Sequence, residues 1–76
     1  MVAVEVNIGG KDRNVGAMVK ALAVEVSGFQ SVTGTTKEFL ATHGYYRFEF
    51  PSEAKAAEFR AAVTRYLLES YATVRQ

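Results

Sequence analysis

Lys37-Glu38-Phe39-Leu40-Ala41-Thr42-His43-Gly44-Tyr45-Tyr46-Arg47-Phe48-Glu49-Phe50 is the stretch on which the fold turns. Tyr45 to Phe50 alternates, with Tyr46 and Phe48 on one side and Tyr45, Arg47 and Glu49 on the other. That is the period-two pattern of a strand with one buried face. Lys37 to Thr42 admits the same reading, with His43-Gly44 as a two-residue hairpin turn. Pairing across that turn sets Thr42 against Tyr45, Ala41 against Tyr46 and Phe39 against Phe48. Phe39, Ala41, Tyr46 and Phe48 then share the core face.

On the C-terminal side, Pro51-Ser52 ends the strand and opens a helix, with Ser52 as N-cap and Glu53 near the positive helix end. Ala56, Phe59, Val63, Tyr66 and Leu67 line one face of that helix, which is expected over residues 52–69. The tail Tyr71 to Arg75 alternates again and reads as a last strand. Towards the N-terminus, Val2, Val4, Val6 and Ile8 alternate with Ala3, Glu5 and Asn7, a first strand that Gly9-Gly10 stops. Asp12 or Asn14 can cap a helix over residues 13–27, whose Val15, Met18, Val19, Leu22 and Val26 fall on one face. Gly28 suits the left-handed residue that closes it. The segment from Phe29 to Thr36 carries the weakest pattern. Pairing Phe29–Thr33 with Thr36–Leu40 around Gly34-Thr35 is the rival hairpin.

The order is strand, helix, strand, strand, helix, strand. It predicts a single domain over residues 1–76 of the α+β class. The expected architecture is a two-layer sandwich with two helices on one face of an antiparallel sheet, the split βαβ or ferredoxin-like arrangement.

Composition sets bounds on this. The chain has 76 residues, 49% hydrophobic and 22% charged, with net charge +1 and no cysteine. A chain so short buries only about 60% of its unfolded surface, so its core is marginal. Without cysteine there is no disulfide and no zinc–thiolate site. No apolar run approaches the roughly 20 residues that span a bilayer. The start shows no signal-peptide pattern, and a cytoplasmic location with no membrane contact is the expectation.

The chemistry-bearing inventory is thin. His43 is the only histidine and Asp12 the only aspartate. His43 reads as an exposed turn residue, with no second His or Cys to complete a metal site. The serines sit in no nucleophile-elbow pattern. The scattered glutamates read as solvated charges without the raised pKa that acid–base work needs. The expectation is therefore a chain without catalytic residues, metal or cofactor. Gly9-Gly10-Lys11-Asp12-Arg13-Asn14 lies between a strand and a helix. It lacks the order of a phosphate-binding loop and reads as a flexible connection.

His43-Gly44-Tyr45-Tyr46-Arg47-Phe48-Glu49-Phe50, followed by Pro51-Ser52-Glu53-Ala54-Lys55-Ala56-Ala57, resembles the third strand and second helix of an RNA-recognition motif. Gly44, Tyr45, Glu49 and Phe50 fit that family's strand, with His43 in place of its basic residue. Tyr46 replaces a small residue and Arg47 replaces a base-stacking aromatic. The resemblance implies the ferredoxin-like fold. It also implies, as the alternative function, a degenerate single-strand nucleic-acid binder using Tyr45, Arg47, Lys11 and Arg13.

By alternation the sheet's open face carries Ala3, Glu5 and Asn7; Glu38, Leu40 and Thr42; Tyr45, Arg47 and Glu49; and Tyr71, Thr73 and Arg75. Mixed charges make a poor phosphate footprint. Tyr and Arg are the residues favoured at protein contacts. The favoured function is therefore a non-enzymatic interaction module that binds a protein partner or itself as a homodimer. Tyr45, Arg47, Tyr71 and Arg75 are its expected contact residues. The competing surface is helical: Ala17, Ala21 and Val24 on the first helix, and Ala54, Ala57, Ala61 and Leu68 on the second.

Overall fold

The computed structural model describes residues 1–9 and 14–75. In chain order these form β1 (Val2–Ile8), α1 (Asn14–Ser27), α2 (Lys37–His43), β2 (Tyr45–Phe50), α3 (Glu53–Tyr66) and β3 (Ala72–Val74). β1 is central, and the sheet order is β2-β1-β3. β1 runs antiparallel to both neighbours, pairing Val4 with Phe48 and Val6 with Tyr46 on one side, and Val6 with Val74 and Ile8 with Ala72 on the other. β2 and β3 are therefore parallel to each other, joined by α3 and split by β1.

The core lies between this sheet and helices α1 and α3. Val4, Val6, Tyr46, Phe48, Phe50 and Ala72 from the sheet meet Val15, Val19 and Ala23 of α1, and Ala56, Phe59 and Val63 of α3. Phe59 is the hub: its ring centroid is 5.1 Å from that of Phe48 and 4.9 Å from that of Phe50. The described residues bury no polar or charged residue. None of the described helices is long and apolar enough to cross a membrane.

The α+β class, the first strand, the strand Tyr45–Phe50 and the two long helices stand as expected. The segment Lys37–Thr42 does not: it is helical, so the described sheet has three strands and three helices accompany it. Both ends of α2 show why. The Thr36 hydroxyl accepts a hydrogen bond from the Phe39 N–H at 3.0 Å, a side-chain N-cap. Gly44 adopts φ 82°, and its N–H donates to the Leu40 carbonyl at 2.7 Å. His43-Gly44 is thus a helix end with a left-handed glycine, not a hairpin turn. Lys, Glu, Leu and Ala between those caps are good helix formers. The rival hairpin fails for the same reason, since α2 takes most of its second strand.

Residues 30–34 occupy the outer edge of β2 instead. Gln30 N–H donates to the Glu49 carbonyl at 3.1 Å, Arg47 N–H to the Gly34 carbonyl at 2.7 Å, and the Ser31 hydroxyl to the Arg47 carbonyl at 3.1 Å. Phe29 anchors this strap, its ring edge-on to Phe48 at 5.0 Å. The strap passes so close to β2 that a Cβ at Gly34 would overlap the Arg47 carbonyl oxygen and lie 2.6 Å from the Arg47 Cβ.

Smaller corrections follow from the same geometry. α3 stops at Tyr66 because Leu67 turns to an extended backbone, so Leu68 and Glu69 lie beyond the helix. Tyr66 and Met18 leave the inner helical stripes and stand exposed. Phe39 is not a partner of Phe48 in the core; it is half-buried beside Tyr45. The glycine-rich connection, with Lys11, Asp12 and Arg13, lies outside the described residues.

Candidate interaction face

Alternation places Val4 and Val6 towards the helices, so Glu5 and Asn7 of β1 must face away from them. The register then builds the open face in rows. Glu49 lies beside Ala3, Arg47 beside Glu5, and Tyr45 beside Asn7. On the other side Thr73 lies beside Asn7, and the Arg75 N–H donates to the Glu5 carbonyl at 2.8 Å. The Gly9 N–H donates to the Tyr71 carbonyl at 2.7 Å, which carries the same register one step past β3.

Glu5 is the centre of this face. Its carboxylate lies 3.8 Å from Arg47 Nη1 and 3.7 Å from Arg75 Nε. Two guanidiniums on one carboxylate leave one positive charge in excess. Arg75 Nη1 also donates to Asn7 Oδ1 at 3.4 Å, and the Arg75 guanidinium sits 4.1 Å from the Tyr45 ring centroid. Beyond Tyr45 the aromatic run continues into α2, with Phe39 edge-on at 5.6 Å and His43 tilted at 5.7 Å. The two arginine side chains are 46% and 43% exposed, so water screens both ion pairs. Pairs of this kind contribute about 0–1 kcal/mol; what they do here is hold the side chains in place.

The expected contact residues therefore divide. Tyr45, Arg47 and Arg75 are gathered around Glu5. Tyr71 belongs to the same face but stands at its far end, across from Gly9. Glu38, Leu40 and Thr42, expected on this face, belong to α2. Lys11 and Arg13, assigned to nucleic acid, fall outside the described residues. Sequence reading missed the role of Glu5 as shared partner and the aromatic contacts of Phe39 and His43. The strand pairing of Glu5 between two arginines was the signal for the first; the misread of α2 hid the second.

The two edges of the sheet differ. The outward-pointing groups of β2 at Arg47, and the Glu49 carbonyl, are satisfied by residues 30–34. On β3, residues 71 and 75 bond to β1, so Ala72 and Val74 point their backbone groups outward. The Ala72 N–H is taken by the Leu68 carbonyl at 3.1 Å. The Val74 N–H and the carbonyls of Ala72 and Val74 have no partner among the described residues. A groove of about 220 Å³ runs beside this edge, lined by Val63, Thr64, Leu67 and the strand itself.

The helical layer has a second, larger groove of about 440 Å³ between α1 and α3, lined by Met18, Ala21, Leu22, Glu25, Tyr66 and Leu67. Among the described residues, no three His, Cys, Asp or Glu side chains are grouped to hold a metal. Comparison with protein-family models, with curated proteins and with solved structures finds no match to this chain.

Proposed function

We propose that this chain is a non-enzymatic protein-interaction module whose contact region is the open sheet face along β3. The observation that carries the reading is the outer edge of β3, where the Val74 N–H and the Ala72 and Val74 carbonyls have no partner among the described residues, flanked by Tyr71 and Arg75. Backbone donors and acceptors at a sheet edge are a template for a further strand. Tyr71 and Arg75 add the side-chain types that recur at interface centres. Arg47 and Tyr45 stand in the rows behind and extend the surface inward. The lone histidine favours the same reading, since its ring meets that of Phe39 at a tilt, centroids 4.2 Å apart, at the exposed end of α2 rather than in a cleft.

Nucleic acid is the weaker reading. A stacking platform needs a bare aromatic face, and Arg75 already lies over the Tyr45 ring. Glu5 and Glu49 share the same face. Random single-stranded RNA is expected to bind no better than about micromolar at moderate salt. Tighter binding that is lost in Arg47→Ala would reverse the order of the two readings. The groove between α1 and α3 supports docking on the helical face as a second protein-binding reading, because Met18 and Tyr66 expose apolar surface there.

The test needs no known partner. Peptides selected on the whole chain from a random library should shift the amide resonances of residues 71–75. Peptides that instead shift residues 18–25 and 66–67 place binding in the helical groove and contradict the reading.

A further inference from the structure

We infer that the outer face of α1 packs on the same face of a second copy of this chain, antiparallel about a two-fold axis at Ala21. This goes beyond the β3 reading and does not depend on it; it names an occupant for the helical face. The starting point is the composition of the helix. α1 has fourteen residues and two charges, Lys20 and Glu25. A helix apolar on nearly every side is ordinarily covered on every side. The core covers Val15, Val19 and Ala23, while Ala17, Met18, Ala21 and Val24 stand exposed. Lys20 does not shield that outer face, because its ammonium sits over the Tyr46 ring, 4.9 Å from the centroid. Glu25 is left as the one charge there, towards the C-terminal end of the helix.

The spacing selects the occupant. Met18 and Val24 lie three residues to either side of Ala21, and Ala17 and Glu25 four residues to either side. An apolar pattern that is the same from both ends is self-complementary under a two-fold axis. With Ala21 against Ala21 of the copy, Met18 meets Val24 of the copy, and Val24 its Met18. Glu25 meets Ala17 of the copy, so no like charges are opposed. At the crossing Ala21 is small enough to let the two helices approach. The groove beside it, walled by Met18, Leu22 and Tyr66, is apolar surface that the copy takes out of water.

Surface area sets the strength. The chain exposes 4980 Å², about 400 Å² more than the roughly 4,600 Å² expected of a monomer of 8.3 kDa. Fourteen helical residues are about 21 Å long, and with α3 beside α1 the face is roughly 20 Å wide. Covering it hides about 400 Å² per chain, which matches the excess. Two copies then bury on the order of 800 Å², below the usual range of roughly 1,200–2,000 Å², so the dimer is weak and reversible, with a Kd of about 0.1–1 mM. Each copy uses its one α1 face, and association stops at two.

Sedimentation equilibrium on the whole chain, up to about 2 mM, tests this with charge variants at position 21. Ala21 is exposed, and Glu and Lys are good helix formers, so exchange there leaves the fold intact. The wild type is expected to dimerise. Ala21→Glu and Ala21→Lys each set like charges on the axis and should weaken the dimer at least about tenfold. An equimolar mixture of the two variants sets unlike charges there and should associate at least about tenfold more tightly than either alone. Tyr71→Lys, beside β3, should dimerise as the wild type does; a dimer lost in it would move the contact to the sheet. A wild type still monomeric at the highest concentration overturns the second copy as occupant. Single variants that dimerise like the wild type move the contact off α1, and a mixture no tighter than its components moves the axis off Ala21; either result overturns the inference. Peptide-induced shifts at residues 71–75 are measured separately, so the β3 reading and this one can fail independently.

Discussion

Arg47 is held from two directions. Its backbone N–H and carbonyl bind Gly34 and Ser31 of the strap, while its guanidinium reaches across the face to Glu5. Gly34 is glycine because the strap must approach β2 closer than a Cβ allows. Gly34→Ala is therefore expected to cost about 1–3 kcal/mol in urea unfolding, by pushing the strap off the strand. A neutral substitution would mean that the strap stands further out. The two phenylalanines once paired by the hairpin reading now separate in energy. Phe48 is fully buried among Phe29, Tyr46 and Phe59. Phe48→Ala should cost about 3–5 kcal/mol. Phe39, half-buried against His43 and Tyr45, should cost about 1 kcal/mol on the same change. Equal losses would return Phe39 to the core and restore the strand.

At the scale of elements, α2 is the test of how sequence becomes structure here. Alternation in Tyr45–Phe50 was legible because every second residue is a large aromatic that must be buried. The segment 37–42 carries no such constraint: Phe39 and Leu40 are adjacent, and each can satisfy a strand face or a short helix. Period alone does not separate the two over six residues. What separates them are the caps, Thr36 at one end and Gly44 at the other, and the second was read as a hairpin turn. α1 and α3 were legible because fourteen residues each give a stripe several turns long. The end of α3 was not, since Leu67 continues the apolar stripe while its backbone has already become extended. Thr36→Ala should lower stability by about 1 kcal/mol, a loss confined to the cap. Backbone chemical shifts of residues 37–43 should be helical, and strand-like shifts there would contradict the assignment.

The part of the open face built by β1, β2 and β3 was readable from alternation, which puts Glu5, Asn7, Tyr45, Arg47, Thr73 and Arg75 there; the row of Glu38, Leu40 and Thr42 expected beside it was not, because that segment is the helix α2. Which edge is open was not readable. It depends on residues 30–34, whose sequence has no period, and on a hydrogen-bond ladder that no composition reveals.

At the scale of the whole molecule, the chain has one closed edge, one open edge and an apolar groove on the opposite layer. A domain of 76 residues has little stability to spare, and association adds to it by mass action. If dimerisation runs through α1, thermal stability should rise with protein concentration, and Ala21→Glu should move that rise to higher concentration while leaving the dilute melting temperature within a few degrees. Tyr71→Lys beside β3 should leave the concentration dependence intact. The most direct measurement is amide hydrogen exchange at Val74 as a peptide selected on the whole chain is titrated in. In the free protein the Val74 N–H should exchange freely while Arg75, bonded to Glu5, is protected. As peptide is added, Val74 should become protected along the same curve that peptide binding follows. Protection of Val74 that is already complete without peptide, or exchange that never slows while the peptide binds, would contradict the account.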